Sequence, residues 1–200
     1  MSHFNQVANS WDTPEKIKLN QYYAKEISKA LPLANPLKIL EVGCGTGLLG
    51  SQFVKDQNSL LGIDTSVGML EVFNQKFKDN KNVSSLILNL EENDLDANAQ
   101  FDLIVSSMAF HHLKNPEAMI SKLKTMLSPN GLIAIIDLDL EDGSFHPDPK
   151  NMGVFHFGFS QSTTKDWANK CKFRKFERKE IHIVKKESGD FSLFLALFFK

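Results

Sequence analysis

Apolar and polar positions along this chain repeat with two periods that follow one another in a regular order. Short apolar runs of strand type stand at 37–42 ("LKILEV"), 59–64 ("SLLGID"), 83–88 ("VSSLIL"), 101–107 ("FDLIVSS") and 132–137 ("LIAIID"). Between them the spacing turns helical. Residues 14–31 place Ile17, Tyr23, Ala24, Ile27 and Leu31 on one face, 66–77 open on a Ser N-cap, and 115–127 carry Pro at the first helical position. "NP" at 35–36 breaks the chain before the first strand, and "SPNG" at 128–131 reads as a turn before the fifth. Strand and helix alternating in this way predict β-α-β units around a buried parallel sheet. The end of the chain differs. After a predicted helix at 163–171, two long strand-like runs follow, "FRKFERKEIHIVKK" and "FSLFLALFFK", joined by "ESGD". That is a hairpin connection, so five parallel strands and a terminal antiparallel hairpin are expected.

Composition narrows the class of protein. Two hundred residues suffice for one domain, and 42% apolar with 24% charged residues is ordinary for a globular chain. The net charge is −1 and only Arg174 and Arg178 are arginine, which gives no reason to expect a nucleic-acid partner. The basic run at 165–186 reads as the solvated face of a strand. Cys44 and Cys171 are the only cysteines and form no C-x-x-C pair, so no cysteine zinc site or disulfide framework is expected. The N-terminus lacks a signal-peptide pattern, and the apolar run 193–199 is too short to insert in a membrane. A cytoplasmic location is the expectation.

The chemistry starts at "EVGCGTGLLG", residues 41–50. Gly45, Gly47 and Gly50 spell a dinucleotide fingerprint, while Gly43, Gly45 and Gly47 spell an E-x-G-x-G-x-G loop. Both readings place a helix after the loop, and both want an acidic residue ending the next strand, which Asp64 supplies. The loop and Asp64 together indicate an adenosine cofactor without choosing one. Three features bear on the choice. Glu41 would repel a pyrophosphate but suits a cationic group. No Tyr-x-x-x-Lys pair is present. The closing hairpin stands where a dinucleotide fold would continue with parallel units. Asp64 also has a plain structural role open to it, as a cap of the turn before Ser66.

In this order and spacing, "ILEVGCGTG", "GIDTSVGML", "FDLIVSSMAFHHL" and "LSPNGLIAIID" resemble class I S-adenosylmethionine (SAM)-dependent methyltransferases, with the small-molecule enzymes of ubiquinone and menaquinone biosynthesis as the nearest flavour. The resemblance implies a Rossmann-like, seven-stranded, mostly parallel α/β sheet with helices on both faces and a C-terminal antiparallel hairpin. It implies SAM as cofactor and S-adenosylhomocysteine (SAH) as product. Gly43, Cys44, Gly45 and Gly47 would lie against the methionine end and ribose. Glu41 would hold the ammonium, Asp64 the ribose hydroxyls with Thr65 beside it, and Met69 the adenine. Asn89 and Leu90 stand where the family usually has Asp and a small residue, with slippage onto Glu91 an alternative. Ser106 and Ser107 would floor the methionine moiety. The segment 1–35 would form a helical cover over the SAM-binding core (36–140), followed by a substrate loop (141–162) and a terminal helix and hairpin (163–200), all in one domain.

On the acceptor side the catalytic candidates are His111 and His112 in "AFHHL", Asp137 and Asp139, and His146 and His156. A histidine here can serve as a base, although alignment alone accounts for much of methyl transfer. Trp11, Tyr22, His146, Phe155 and His156 are the expected substrate-pocket residues, with Phe145, Phe157 and Phe159 in the same Phe-rich stretch. His146, Asp148 and His156 match no established ligand spacing, so no metal is assigned. The expected acceptor is a small molecule. "SSMAF" after the fourth strand lacks the "D/N-P-P-Y/F" signature of enzymes that methylate DNA amines or glutamine amides. Two other classes stay in view: an NAD(P)-dependent oxidoreductase using the same loop, and a non-catalytic SAM-fold binding protein.

Overall fold

The computed structural model describes residues 3–31, 36–54, 57–96 and 98–200. Asn35 of the predicted break, and residues 1–2 and 32–35 of the predicted cover, lie outside them. Seven strands form one sheet in the order β3-β2-β1-β4-β5-β7-β6. These are β1 (Lys38–Val42), β2 (Ser59–Asp64), β3 (Val83–Ile87), β4 (Phe101–Ser107), β5 (Leu127–Leu138), β6 (Lys175–Lys186) and β7 (Gly189–Phe199). Strands β1 to β5 pair in parallel, and β7 runs antiparallel between β5 and β6. The fold is the seven-stranded one the sequence pattern and the resemblance imply.

Helices cover the sheet because their apolar stripes have no other place to go. They are α1 (His3–Val7), α2 (Pro14–Ser28), α3 (Val67–Phe77), α4 (Pro116–Thr125) and α5 (Gln161–Lys170). One core gathers Tyr23 and Ile27 of α2 and Phe73 of α3 with β1, β2 and β7 side chains. The other gathers Met119, Ile120 and Leu123 of α4 and Trp167 of α5 with alternate residues of the same strands. The capping chemistry is as expected: Ser66 Oγ accepts from Met69 N, and Asn115 Oδ1 accepts from Ala118 N ahead of Pro116.

Several local expectations need correcting. "SPNG" is not a turn before β5 but an excursion within it. Leu127 pairs with Phe101 and Leu132 with Leu103, so the intervening residues loop out, held by Ser128 Oγ donating to the Phe101 carbonyl. The predicted first helix stops at Ser28 rather than 31, and α5 starts two residues early because Ser160 is its N-cap. "ESGD" is half turn and half strand, the turn narrowing to Glu187-Ser188 before β7 starts at Gly189. No α-helix follows the glycine loop among the described residues; turns and a 3-10 helix at Gly50–Phe53 take its place.

Candidate active site

Strand β1 delivers Glu41 to its carboxyl end, and the chain then turns through Gly43, Gly45 and Gly47, each at positive φ (+66°, +51° and +76°). Side chains are barred here by space as well as by backbone. A Cβ on Gly43 would stand 2.5 Å from the Cβ of Ala109, and one on Gly47 would stand 2.7 Å from the Phe73 ring. Gly50, the third glycine of the dinucleotide reading, has a different job: a Cβ there would stand 2.3 Å from Glu41 Oε2. It lets the chain close over the carboxyl. The α-helix N-terminus that would face a pyrophosphate is not built.

Glu41 is buried, and its Oε2 has no hydrogen-bond partner among the described residues. Burial pushes its carboxyl up to about 8, against a smaller opposing effect from the Gly50 backbone N–H. The folded protein therefore holds a proton that the unfolded chain releases near pH 4.5. This raised value makes the group a source of stability at low pH that is lost as pH rises towards 8, by at most about 1.4 kcal/mol per pH unit. Glu41→Gln is expected to flatten the fall in Tm between pH 6 and 8, measured without ligand. An unchanged slope would show that Glu41 is not the titrating group.

Asp64, at the end of β2, uses one oxygen on each side: Oδ2 accepts from Gly45 N and Oδ1 from Ser66 N, both at 2.8 Å. The capping role is thus real, and it ties the carboxylate to the glycine loop while leaving a lone pair on each oxygen. Burial raises the Asp64 pKa, with the Ser66, Gly45 and Thr65 backbone groups opposing. Thr65 is exposed beside it. Met69 is buried, its Sδ 3.8 Å from where a Gly45 Cβ would be. Cys44 faces inward, its thiol pushed well up by burial, which fits a loop residue better than a nucleophile. Asn89 turns its Oδ1 onto Glu91 N, and Leu90 is core. Glu91, the alternative by slippage, accepts from Lys114 N and Asn115 N ahead of α4. Ser106 is buried and donates to the Val42 carbonyl, joining β4 to β1 behind the loop, while Ser107 is half-buried.

The N-terminal segment lies across this cradle. Asn5 Oδ1 accepts from Ser66 Oγ and Gly68 N, Thr46 Oγ1 donates to Asp12, and Lys76 pairs with Asp12 at 2.7 Å. Phe4 packs edge-on against Trp11 and against His112. Trp11 also carries Lys16 over its ring at 3.3 Å. Tyr22 points away, 43% exposed on α2, because the helical repeat turns Tyr23 inward instead.

After β4 a 3-10 helix, Phe110–His112, presents both histidines beside Ala109, and so beside Gly43. His111 is 1% exposed and its Nδ1 lies 2.7 Å from Asp137 Oδ1. Asp137 Oδ2 accepts from Phe110 N and His111 N, and Oδ1 also accepts from Leu138 N. His112 Nδ1 donates to the Gly153 carbonyl at 3.0 Å. His146 comes from the loop after β5, with its ring centroid 5.0 Å from that of His111. Burial lowers His112 and His146 to about 4, and the neighbouring imidazoles add to the effect. Both rings are neutral at physiological pH.

The other candidates separate. Asp139 is bound to Arg178, whose buried guanidinium also donates to the Phe159 carbonyl and Thr164 and lies over Phe194. Asp148 accepts from Asn151. Phe145 and Phe159 are core, against Phe191 and Trp167, whereas Phe155 and Phe157 are exposed. His156 stacks on Phe159, and its backbone N–H donates to the His111 carbonyl. The Asp137 network and the Arg178 clamp are what the sequence reading missed, since the two partners in each lie far apart in sequence.

The strand order is that of the class I methyltransferase fold, and comparison with known proteins agrees. Residues 40–133 match the family model described as "Methyltransferase domain". An uncharacterized methyltransferase of Schizosaccharomyces pombe is 35% identical over 137 residues, covering 61% of this chain and 48% of that protein. A malonyl-[acyl-carrier protein] O-methyltransferase of Acetivibrio thermocellus is 29% identical over 135 residues, covering 66% and 46%. The chain spans about half the length of these curated relatives. Among solved structures, Haemonchus contortus phosphoethanolamine N-methyltransferase 2 in complex with phosphomonomethylethanolamine and SAH superposes with a TM-score of 0.74 at 15% identity, over 89% of this chain and 52% of that one. These findings support a class I SAM-dependent methyltransferase domain. No helix among the described residues is long and apolar enough to cross a membrane.

Proposed function

We propose that this chain transfers the methyl group of SAM to a small-molecule acceptor held beside the glycine loop, at the carboxyl edge of the parallel strands. One observation carries the reading: a positive-φ glycine loop backed by Asp64 and by the buried Glu41 carboxyl, whose Oε2 has no partner among the described residues, with no α-helix N-terminus directly after the loop to receive a phosphate. Such a cradle suits a ligand with an ammonium and a ribose but no pyrophosphate. SAM, when bound, supplies a methyl on a sulfonium leaving group. Gly43, Gly45 and Gly47 let the backbone approach it, Glu41 meets the ammonium, and the free lone pairs of Asp64 take the ribose hydroxyls. The strap formed by Phe4, Asn5 and Asp12 excludes water, and Ala109–His112 fixes the acceptor side. An in-line displacement needs mainly this alignment. The relatives named above act on unlike acceptors, an acyl-carrier protein and a phosphorylated amine, so acceptor choice is assigned to the individual loop 141–160 and its exposed Phe155 and Phe157.

The test is calorimetric titration with SAM, SAH, NAD⁺ and NADP⁺, followed by acceptor screening with labelled methyl. Binding of SAM and SAH alone is the expected result. Binding of NAD⁺ instead makes the loop a dinucleotide site and the chain an oxidoreductase. Cofactor binding with no turnover on any acceptor leaves a binding protein.

A further inference from the structure

Two segments distant in sequence, the 3-10 helix after β4 and the loop after β5, bring His111, His112 and His146 together, and one ring nitrogen from each lies within 4.8 Å of the others. The hydrogen bonds identify which nitrogens remain. His111 Nδ1 is held by Asp137 and His112 Nδ1 by the Gly153 carbonyl, which leaves Nε2 on both. His111 Nε2 and His146 Nδ1 are buried with no partner among the described residues. These rings are 1% and 8% exposed, so water does not readily satisfy them. Buried polar atoms in folded proteins are as a rule paired, and two orphans side by side call for a shared partner. Hydrogen-bonding the rings to one another does not supply it, since no such bond forms within the cluster.

We propose that His111, His112 and His146 bind one divalent transition-metal ion of the zinc type through His111 Nε2, His112 Nε2 and His146 Nδ1. Neutral imidazole is a borderline donor that suits zinc, nickel, cobalt or copper, whereas magnesium and calcium prefer oxygen. Three histidines with further positions left to water or substrate is the pattern of open zinc sites. Nitrogens on a tetrahedral zinc stand about 3.3 Å apart, so closure from the present spacing requires a shift of under about 1 Å per ring. The surroundings match as well. Metal-ligating histidines characteristically donate the other ring N–H to a carboxylate or a backbone carbonyl, and here His111 uses Asp137 and His112 uses Gly153. Asp137 is itself fixed by three backbone N–H groups, which sets the His111 ring in place. Linear spacing concealed the site, because His146 lies on the loop after β5. In the methyltransferase reading, on which this last step rests, the ion would take an acceptor oxygen, sulfur or nitrogen as ligand and lower its pKa, the proton passing to water before the acceptor's lone pair forms the new bond to the methyl carbon as the S–CH3 bond breaks and SAH leaves.

The experiment uses untagged, chelator-treated protein titrated with Zn²⁺ against a chromophoric competitor, and with Co²⁺ followed by visible absorption. One equivalent of each ion should bind, with cobalt bands indicating nitrogen ligation. His112→Gln and His146→Gln should each weaken affinity by about 100-fold or more, beyond the 10–100-fold typical of outer-shell changes. His182→Gln, on β6 away from the cluster, should leave it unchanged. SAH titration of the same samples reports folding and the cofactor site separately. Wild type that binds SAH without taking up an equivalent of metal overturns the metal site alone. Uptake that persists in both variants also overturns it. Uptake without SAH binding supports the metal site and sinks the methyltransferase reading.

Discussion

Asp137→Ala is expected to destabilise the fold by about 3–5 kcal/mol, read as a drop in Tm of roughly 10 °C or more for a chain of this size. The side chain has no exposure, and its two oxygens accept from Phe110 N, His111 N, Leu138 N and His111 Nδ1. Alanine leaves all of these donors buried and unpaired, each a desolvation cost not recovered elsewhere. Asp137→Asn should be nearly as damaging, since its amide NH₂ must face donors on one side. The effect should reach the cofactor site, because the same backbone sets Ala109 against Gly43. A melting-temperature loss of only about 2 °C in Asp137→Ala would show that the network is not fully buried in solution.

Asp64→Ala is expected to weaken SAH binding by about 100-fold, close to 2.7 kcal/mol, measured by calorimetry at constant pH. Two hydrogen bonds from ribose hydroxyls to a charged acceptor are worth at least that much. Part of the loss is indirect, because Asp64 also holds Gly45 N and Ser66 N and so presents the loop. Adenosine separates the two contributions: it carries the ribose but not the methionine end, so its affinity should fall in the same ratio if the hydroxyl contacts dominate. Affinity for SAH retained to within about threefold would remove Asp64 from the ribose and leave it as the turn cap.

Much of this architecture was written locally. Buried parallel strands read as continuous apolar runs, so β1, β2, β4 and β5 were legible without any partner, and Ser66 and Pro116 announced their helices through backbone chemistry alone. The glycine loop was legible because positive φ at alternate positions leaves few residue choices. Local signals failed where a neighbour decided. "SPNG" carries turn residues, yet Leu127 before it and Leu132 after it both pair with β4, so it bulges within one strand. "GLLG" was read as the opening of a helix, but Gly50 instead packs onto the Glu41 carboxyl and only a 3-10 turn forms.

The sequence by itself determined the order of elements, the class of the fold and the glycine loop, because periodicity, caps and glycine conformations act over a few positions. Only the tertiary structure decided which polar groups are used up and which are left over. Asp139 and Asp137 look alike in "IIDLDL", yet one is taken by Arg178 from β6 and the other anchors His111 from the end of β4. His111 and His146 stand thirty-five positions apart in sequence, with ring centroids 5.0 Å apart in space. Hydrogen-bond satisfaction is a property of the packed chain, and no window of sequence contains it.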